Sequence, residues 1–436
     1  MNSSTNASPD SSIQQPSLNT LTKLWAKIGI LSFGGPAAQI ALMHKLVVEK
    51  MRWMTEKEYL NALSFCMLLP GPEAMQLAAY AGWRSNGVIG GIIAGALFVI
   101  PGAIIIMALA WVYAIYGNVP LIQALFLGVK AAVLVIVIEA LLKIAKKSLK
   151  SNDLKLIAML SFISIFFLNI PYPIIVLVAA AYGFFKARKQ VPDDNTVVDI
   201  PKGYSDLFIT IAIWLSVWLL PLFAMAYFTD HQNLVEIGKF FSRLSVVTFG
   251  GAYAVLAYMG QDVVNYWGWL TPEEMMDGFG LAETTPGPLI LVTEFVGFLA
   301  GYKEEGSIGM GIAAALITLW TTFIPCFLWI FAGAPYIEWI GAQPKLKGAL
   351  QAISAAVVGV ILNLSVWFAL HVMFKTVEKK SYGPIQLWQP DFTSVDWSVV
   401  ALSSLCALLL LKLHWGIVRV LAISSFLGAA LVYLLA

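Results

Sequence analysis

Long apolar runs alternate with short polar gaps along this chain, and several runs are interrupted where a helix tolerates it least. Residues 60–83 form an apolar stretch of about 24 residues, yet Leu68-Leu69-Pro70-Gly71-Pro72-Glu73 sits near its middle. Proline removes a backbone donor and clashes with the preceding turn, and glycine is entropically costly in a helix. The pattern therefore predicts two half-helices of about 10 residues, about 15 Å each, half of a ~30 Å hydrocarbon core. Broken backbone at that depth is tolerated only inside protein or along a polar cavity. The same interruption returns at Thr285-Pro286-Gly287-Pro288, within the run 275–299. Two earlier runs, 24–43 and 238–259, break at Gly34-Gly35-Pro36 and Gly250-Gly251. Unbroken spanning candidates lie at about 88–116, 121–145, 154–170, 171–187, 206–228, 306–332, 346–372, 396–412 and 415–435.

The breaks belong to an internal duplication. Phe33-Gly34-Gly35, Trp53, Thr55 and Pro70-Gly71-Pro72 match Phe249-Gly250-Gly251, Trp269, Thr271 and Pro286-Gly287-Pro288 at a constant offset of 216. Small insertions then shift the frame, so that Gly82-Trp83-Arg84 resembles Gly301-Tyr302-Lys303 and Ala131-Ala132-Val133 resembles Ala355-Ala356-Val357. The expected organisation is a disordered tail (1–20), a first transmembrane repeat (21–187), a cytoplasmic linker (188–205), a connecting transmembrane segment (206–237) and a second repeat (238–436). An odd number of crossings separates the repeats, so the second is expected to be inverted.

Composition narrows the class. The 436 residues are 59% hydrophobic and 12% charged, against about 25% charged in soluble domains, and mean hydropathy is +0.79. The fold class expected is an all-α polytopic membrane protein. A net charge of +2 gives no case for a nucleic-acid partner. Cys66, Cys326 and Cys406 lie in apolar stretches without metal-ligand spacing and read as small buried hydrophobes; no metal or cofactor motif is present. The partner implied is the lipid bilayer, and a homo-oligomer is compatible with the sequence.

Lys and Arg set the orientation. If the broken runs dip in and return on one side, with the N-terminus inside, 20 of the 27 Lys and Arg are cytoplasmic. Six are then outside (Lys239, Arg243, Lys303, Lys375, Lys379, Lys380), and Lys130 is within the membrane. A model in which every run crosses sorts the charges less well, so re-entrant segments are expected.

Inverted repeats with discontinuous helices near the midplane are a transporter signature. A half-helix starts after each break, with Pro36, Pro72 or Pro288 near its first turn. Its free amides and positive dipole end suit an anion. The candidate substrate-binding residues are the breaks themselves (Gly34, Gly35, Pro36; Pro70, Gly71, Pro72; Gly250, Gly251; Pro286, Gly287, Pro288) and nearby polar groups. The latter are Ser32, Gln39, Gln76, Thr248, Thr284, Thr285 and the intramembrane cation Lys130. Glu73, Glu283 and Glu294 are membrane carboxylates near the breaks and candidates for proton coupling. Glu139 reads as an ordinary helix ion pair with Lys143, four residues on. Arg84 and Lys303 read as orienting charges at segment ends.

These motifs resemble the chromate ion transporter family in its long, two-repeat form. The resemblance rests on Phe33-Gly34-Gly35-Pro36-Ala37-Ala38-Gln39-Ile40-Ala41, Leu68 through Ala78, Thr248 through Val255, Leu281 through Pro288, Phe323 through Trp329 and Ile361-Leu362-Asn363-Leu364. It implies efflux of chromate, a tetrahedral dianion, across the bacterial inner membrane, with chromate resistance and with sulfate as a structural analogue. Glu294 departs from the amide expected at its position. Read from the residues alone, the site is an anion site that does not choose among tetrahedral oxyanions. A sulfate carrier, an anion channel and a membrane-embedded reductase are the competing readings; no nucleophile–base set supports the last.

Overall fold

The computed structural model describes residues 15–187, 204–249 and 251–435. Helix α1 (Leu18–Leu31) opens on Ser17, whose hydroxyl accepts the Thr20 amide, so the helical region begins inside the expected 1–20 tail. Gly34, at φ +88°, breaks the run, and α2 (Gly35–Met43) starts with Pro36 in its first turn and continues as a π-helix, His44–Lys50. Helix α3 (Glu56–Cys66) opens with a capping box between Thr55 and Glu58. The Pro70 break separates it from α4 (Glu73–Tyr116), which leaves helical geometry at Asn86 and Gly87 (φ +64°) and so has two legs, 73–85 and 88–116. The legs pack backbone to backbone: a Cβ at Gly82 would strike the carbonyl of Gly90, and the reverse.

The outer ends of each broken run lie together. Arg84 pairs with Glu58 at 3.1 Å, Asn86 Nδ2 donates to Pro16 O at 3.0 Å, and His44 Nε2 meets Glu56 at 2.6 Å. Both broken runs of the first half therefore begin and end at one edge of the fold. The second half builds an equivalent edge of its own from α9 (Gln232–Val247), α10 (Ala252–Asn265), α11 (Pro272–Thr284) and α12 (Val292–Glu305). A capping box of Thr271 and Glu274 opens α11, Lys303 pairs with Glu274, and His231 pairs with Glu305 at 3.0 Å.

The long leg of α4 relates the two edges. It starts just after the Asn86–Gly87 kink and passes Gly29 of α1; at Gly102 it presses on the Pro286 carbonyl. Near its end, Tyr113 Oη donates to Asp277 Oδ2 at 2.7 Å, three residues from Glu274. The leg's 29 residues span about 43 Å, so the Arg84–Glu58 and Lys303–Glu274 edges sit at its opposite ends. At the middle, the halves exchange backbone hydrogen bonds: Gly71 N–H donates to Thr248 O and Gly287 N–H donates to Ser32 O, each at 2.9 Å. Both the two donors and the two acceptors are separated by the 216-residue offset.

Outside this centre stand α5 (Pro120–Ser148) and α15 (Pro344–Met373). Helices α6 (Asn152–Phe166) and α7 (Tyr172–Ala187) pack on α15, and α16 (Trp397–Ala407) and α17 (Ile417–Leu435) pack on α5. Each half thus lends its last two helices to the other. The approaches are close because they run through small residues, Gly183 on Gly348 and Gly128 on Ser424. Helix α8 (Tyr204–Phe228) lies between the halves in sequence and packs on α13 (Ile308–Gly333), with Trp214 stacked 5.5 Å from Phe327. The short α14 (Ile337–Ala342) follows α13.

Among the described residues, six helices are long and apolar enough to cross a membrane: 73–116, 120–148, 205–228, 308–340, 344–373 and 417–434. The runs expected at 154–170 and 396–412 give shorter α-helices of 15 and 11 residues, the second extended as a π-helix, Leu408–Lys412. One element departs from the all-α expectation, a hairpin of β1 (Val377–Tyr382) and β2 (Ile385–Pro390). Its two-residue turn carries Gly383 at φ +61°, and β2 is tied to the α6–α7 turn by Gln386 N–H donating to Phe167 O at 2.7 Å. All three cysteines are free and buried, as expected. The linker expected at 188–205 lies, except for its last two residues, outside the described residues.

Candidate functional site

A cavity of about 400 Å³ lies against the breaks. Three helix starts border it: Gly34, Gly35, Pro36 and Ala37 at α2, Gly71 and Glu73 at α4, and Gly251, Ala252 and Tyr253 at α10. No side chain among the described residues caps any of these starts. Three positive dipole ends therefore border one space, together with the Glu73 carboxylate in the first turn of α4. Glu139, Lys143, Lys147 and Ser148 of α5 and Ser354 and Val357 of α15 complete its lining. Lys143 pairs with Glu139 at 2.6 Å, as the spacing predicts. Lys147 has no carboxylate partner among the described residues, its Nζ resting 3.7 Å from Met67 Sδ. This vestibule combines helix starts with the ammonium groups of Lys143 and Lys147, set against the carboxylates of Glu73 and Glu139, so that Lys147 is the cation left to draw an anion.

The chain is also similar in sequence to known proteins. A family model described as chromate transporter matches residues 19–184 and 235–432. The chain belongs to the chromate transporter family. The two matched regions take in α1–α7 and α9–α17 and leave α8 between them. A probable chromate transport protein of Synechococcus elongatus is 31% identical over 79% of this chain and 83% of its own length. A chromate transport protein of Cupriavidus metallidurans is 28% identical over 79% and 80%. An uncharacterized transporter of Methanocaldococcus jannaschii is 25% identical over 95% and 94%. No solved structure matches.

Within this family member, the fourth break does not reach the vestibule. Pro286, Gly287 and Pro288 are buried, Pro286 against Gly102 and Gly287 beside Leu291. The expected hydroxyl ligands are already engaged. Ser32 Oγ donates to Ile28 O at 2.6 Å, Thr248 Oγ1 to Leu244 O, Thr284 Oγ1 to Leu281 O at 2.8 Å and Thr285 Oγ1 to Ala282 O at 3.2 Å. These side chains satisfy the last carbonyls of the helices that end at the breaks. The glutamines act similarly. Gln39 Nε2 donates to Gly287 O at 2.6 Å and Gln76 Nε2 to Pro70 O at 2.7 Å. They hold the broken backbone in place, with Pro70 and Pro72 buried around Gly71. Gly250 lies outside the described residues.

Lys130 does not line the vestibule. It pairs with Asp277 of α11 at 3.5 Å, and Tyr113 holds the other carboxylate oxygen. Asp277 and Tyr113 were invisible as partners in the sequence because they come from α11 and α4, 147 and 17 residues away. Glu73 alone of the three coupling candidates borders the cavity. Glu283 is buried behind it and accepts from Tyr253 Oη at 3.0 Å. Glu294 is fully buried, and neither carboxylate oxygen has a hydrogen-bond partner among the described residues. Lys143, which the sequence reading gives only as the ion-pair partner of Glu139, and Lys147, which it does not single out, supply the vestibule's positive charge. Their recurrence every four residues after Glu139 was the legible signal, one helix face carrying all three.

Proposed function

We propose that this protein is a secondary carrier that exports chromate across the bacterial inner membrane by alternating access. The observation that supports it is the convergence of three uncapped helix starts on one vestibule whose mouth carries Lys143 and Lys147. A tetrahedral dianion would accept from first-turn amides of α2, α4 and α10, which need no charged ligand at the floor. The lysines would raise its concentration at the entrance. The identity of the dianion follows from the family and from the chromate transport proteins that match over about four-fifths of the chain. We read the halves as inverted repeats about an axis in the membrane plane. The reciprocal Gly71–Thr248 and Gly287–Ser32 bonds and the opposite placement of the two edges support this reading.

The driving force follows from charge. Moving one charge through 100 mV is worth about 2.3 kcal/mol; a dianion leaving an inside-negative cell gains about 4.6 kcal/mol, or roughly three decades of concentration. Efflux can run on the potential, and Glu73, beside the α4 amides, is the coupling residue if protons are also used.

Labelled chromate uptake into inside-out vesicles tests this, with the potential and the pH gradient collapsed separately. Uptake that needs the potential and survives loss of the pH gradient is the expected result. Dependence on the pH gradient would move coupling to Glu73. Uptake of labelled sulfate with none of chromate would overturn the substrate assignment.

A further inference from the structure

We infer a second substrate pathway, closed in this structure, that opens toward the β-hairpin face and is lined by the repeat counterparts of the vestibule residues. The inference rests on the inverted-repeat reading. The offset of 224 that aligns Ala131-Ala132-Val133 with Ala355-Ala356-Val357 carries Glu139, Lys143 and Lys147 of α5 onto Asn363, Trp367 and His371 of α15. Taken backwards, it carries Ser354 onto Lys130. The offset of 216 carries Leu69 onto Thr285.

The observed packing fits a shut counterpart. Lys143 and Lys147 are exposed, whereas their counterparts are covered, Trp367 buried at 5% exposure and His371 half-buried; Asn363 and Thr285 are buried where Glu139 and Leu69 are half-buried. Trp367 and His371 pack ring on ring at 4.3 Å, and Trp388 of the hairpin closes on His371 at 5.1 Å. The hairpin has no counterpart in the first half, where three residues, 149–151, join α5 to α6. It covers the place where a mirror-image mouth would form, and its tie to Phe167 holds it there. Lys130, paired with Asp277 in this state, then stands on the wall of the second pathway, which gives an intramembrane cation outside the vestibule a place on the substrate's route. The two mouths differ in charge: two lysines on one side, a tryptophan and a histidine on the other. The carrier should accept its anion more readily from the lysine side.

Cysteine accessibility tests this without substrate. In a background with Cys66, Cys326 and Cys406 replaced by Ala, N363C and S354C are labelled with a membrane-impermeant maleimide added to one face of oriented vesicles. S354C is expected to react from the lysine face and N363C from the hairpin face only. In the double variant, filling S354C first with a bulky maleimide should slow N363C labelling at least tenfold, because both pathways cannot open together. H371C, at the mouth, serves as a second probe should N363C fold poorly; S354C reactivity in the same protein reports folding. Reaction of N363C and H371C from the lysine face, from neither face, or at a rate unaffected by filling S354C would overturn the inference. Because no anion is present, failure here is separable from failure of chromate transport.

Discussion

Gly71→Ala probes the crossing on which the whole centre depends. Gly71 stands at φ +108°, outside the regions an L side chain populates, which costs about 1–3 kcal/mol. An added Cβ would also meet Cys326 Sγ and Gln76 Nε2, both at 3.1 Å. Neither neighbour is free to retreat, since Cys326 is buried and Gln76 is bonded to Pro70 O; that crowding adds about 1 kcal/mol. The expected loss is therefore about 2–4 kcal/mol, with the Gly71–Thr248 bond displaced. Gly268→Ala is the control: its φ is also positive, at +64°, but open space surrounds it, so only about 1 kcal/mol is at stake. The assay is thermal unfolding in mild detergent, followed with a thiol-reactive dye that reads exposure of the three buried cysteines. Gly71→Ala should melt several degrees below Gly268→Ala and lose at least tenfold in chromate uptake. Equal melting of the two variants, with uptake retained in both, would refute the claim that the crossing is tightly built.

Other outcomes follow from the same geometry. Lys147→Gln should raise the KM for chromate several-fold at low ionic strength, with the difference shrinking in 0.5 M salt, where the Debye length falls below about 5 Å; uptake measured at both salt levels checks it. Lys130→Met leaves Asp277 as an uncompensated buried charge and should cost about 3–5 kcal/mol, whereas Lys130→Met with Asp277→Leu should recover most of the melting temperature. Arg84→Gln removes a half-exposed ion pair and should lower stability by no more than about 1 kcal/mol, read in the same unfolding assay. Thr285→Val, which deletes a hydroxyl spent on the Ala282 carbonyl, should change chromate affinity less than twofold; a tenfold rise in KM would restore Thr285 as a direct ligand in the state captured here.

Periodicity and punctuation in the sequence determined a great deal. Apolar runs of spanning length, proline and glycine at mid-run and a constant 216-residue offset are local or translational signals. They specify a predominantly helical membrane chain, the four breaks and the duplication, because a helix does not pass Pro-Gly-Pro and is weakened at a glycine pair whatever surrounds it. The Glu139–Lys143 pair and the capping boxes at Thr55 and Thr271 were legible for the same reason, each lying within one helical turn. Tertiary structure alone decided which breaks meet. Three open on the vestibule while Pro286-Gly287-Pro288 is packed under Gly102, and hydroxyls that look like ligands in sequence are spent on carbonyls at helix ends. Only the fold could give Lys130 its partner, since Asp277 arrives from the other repeat. The corresponding breaks of the two halves also ended in unequal surroundings, one Pro-Gly-Pro bordering the vestibule and the other buried. Which side of each break is covered depends on helices that arrive from far along the chain, so only packing could decide it.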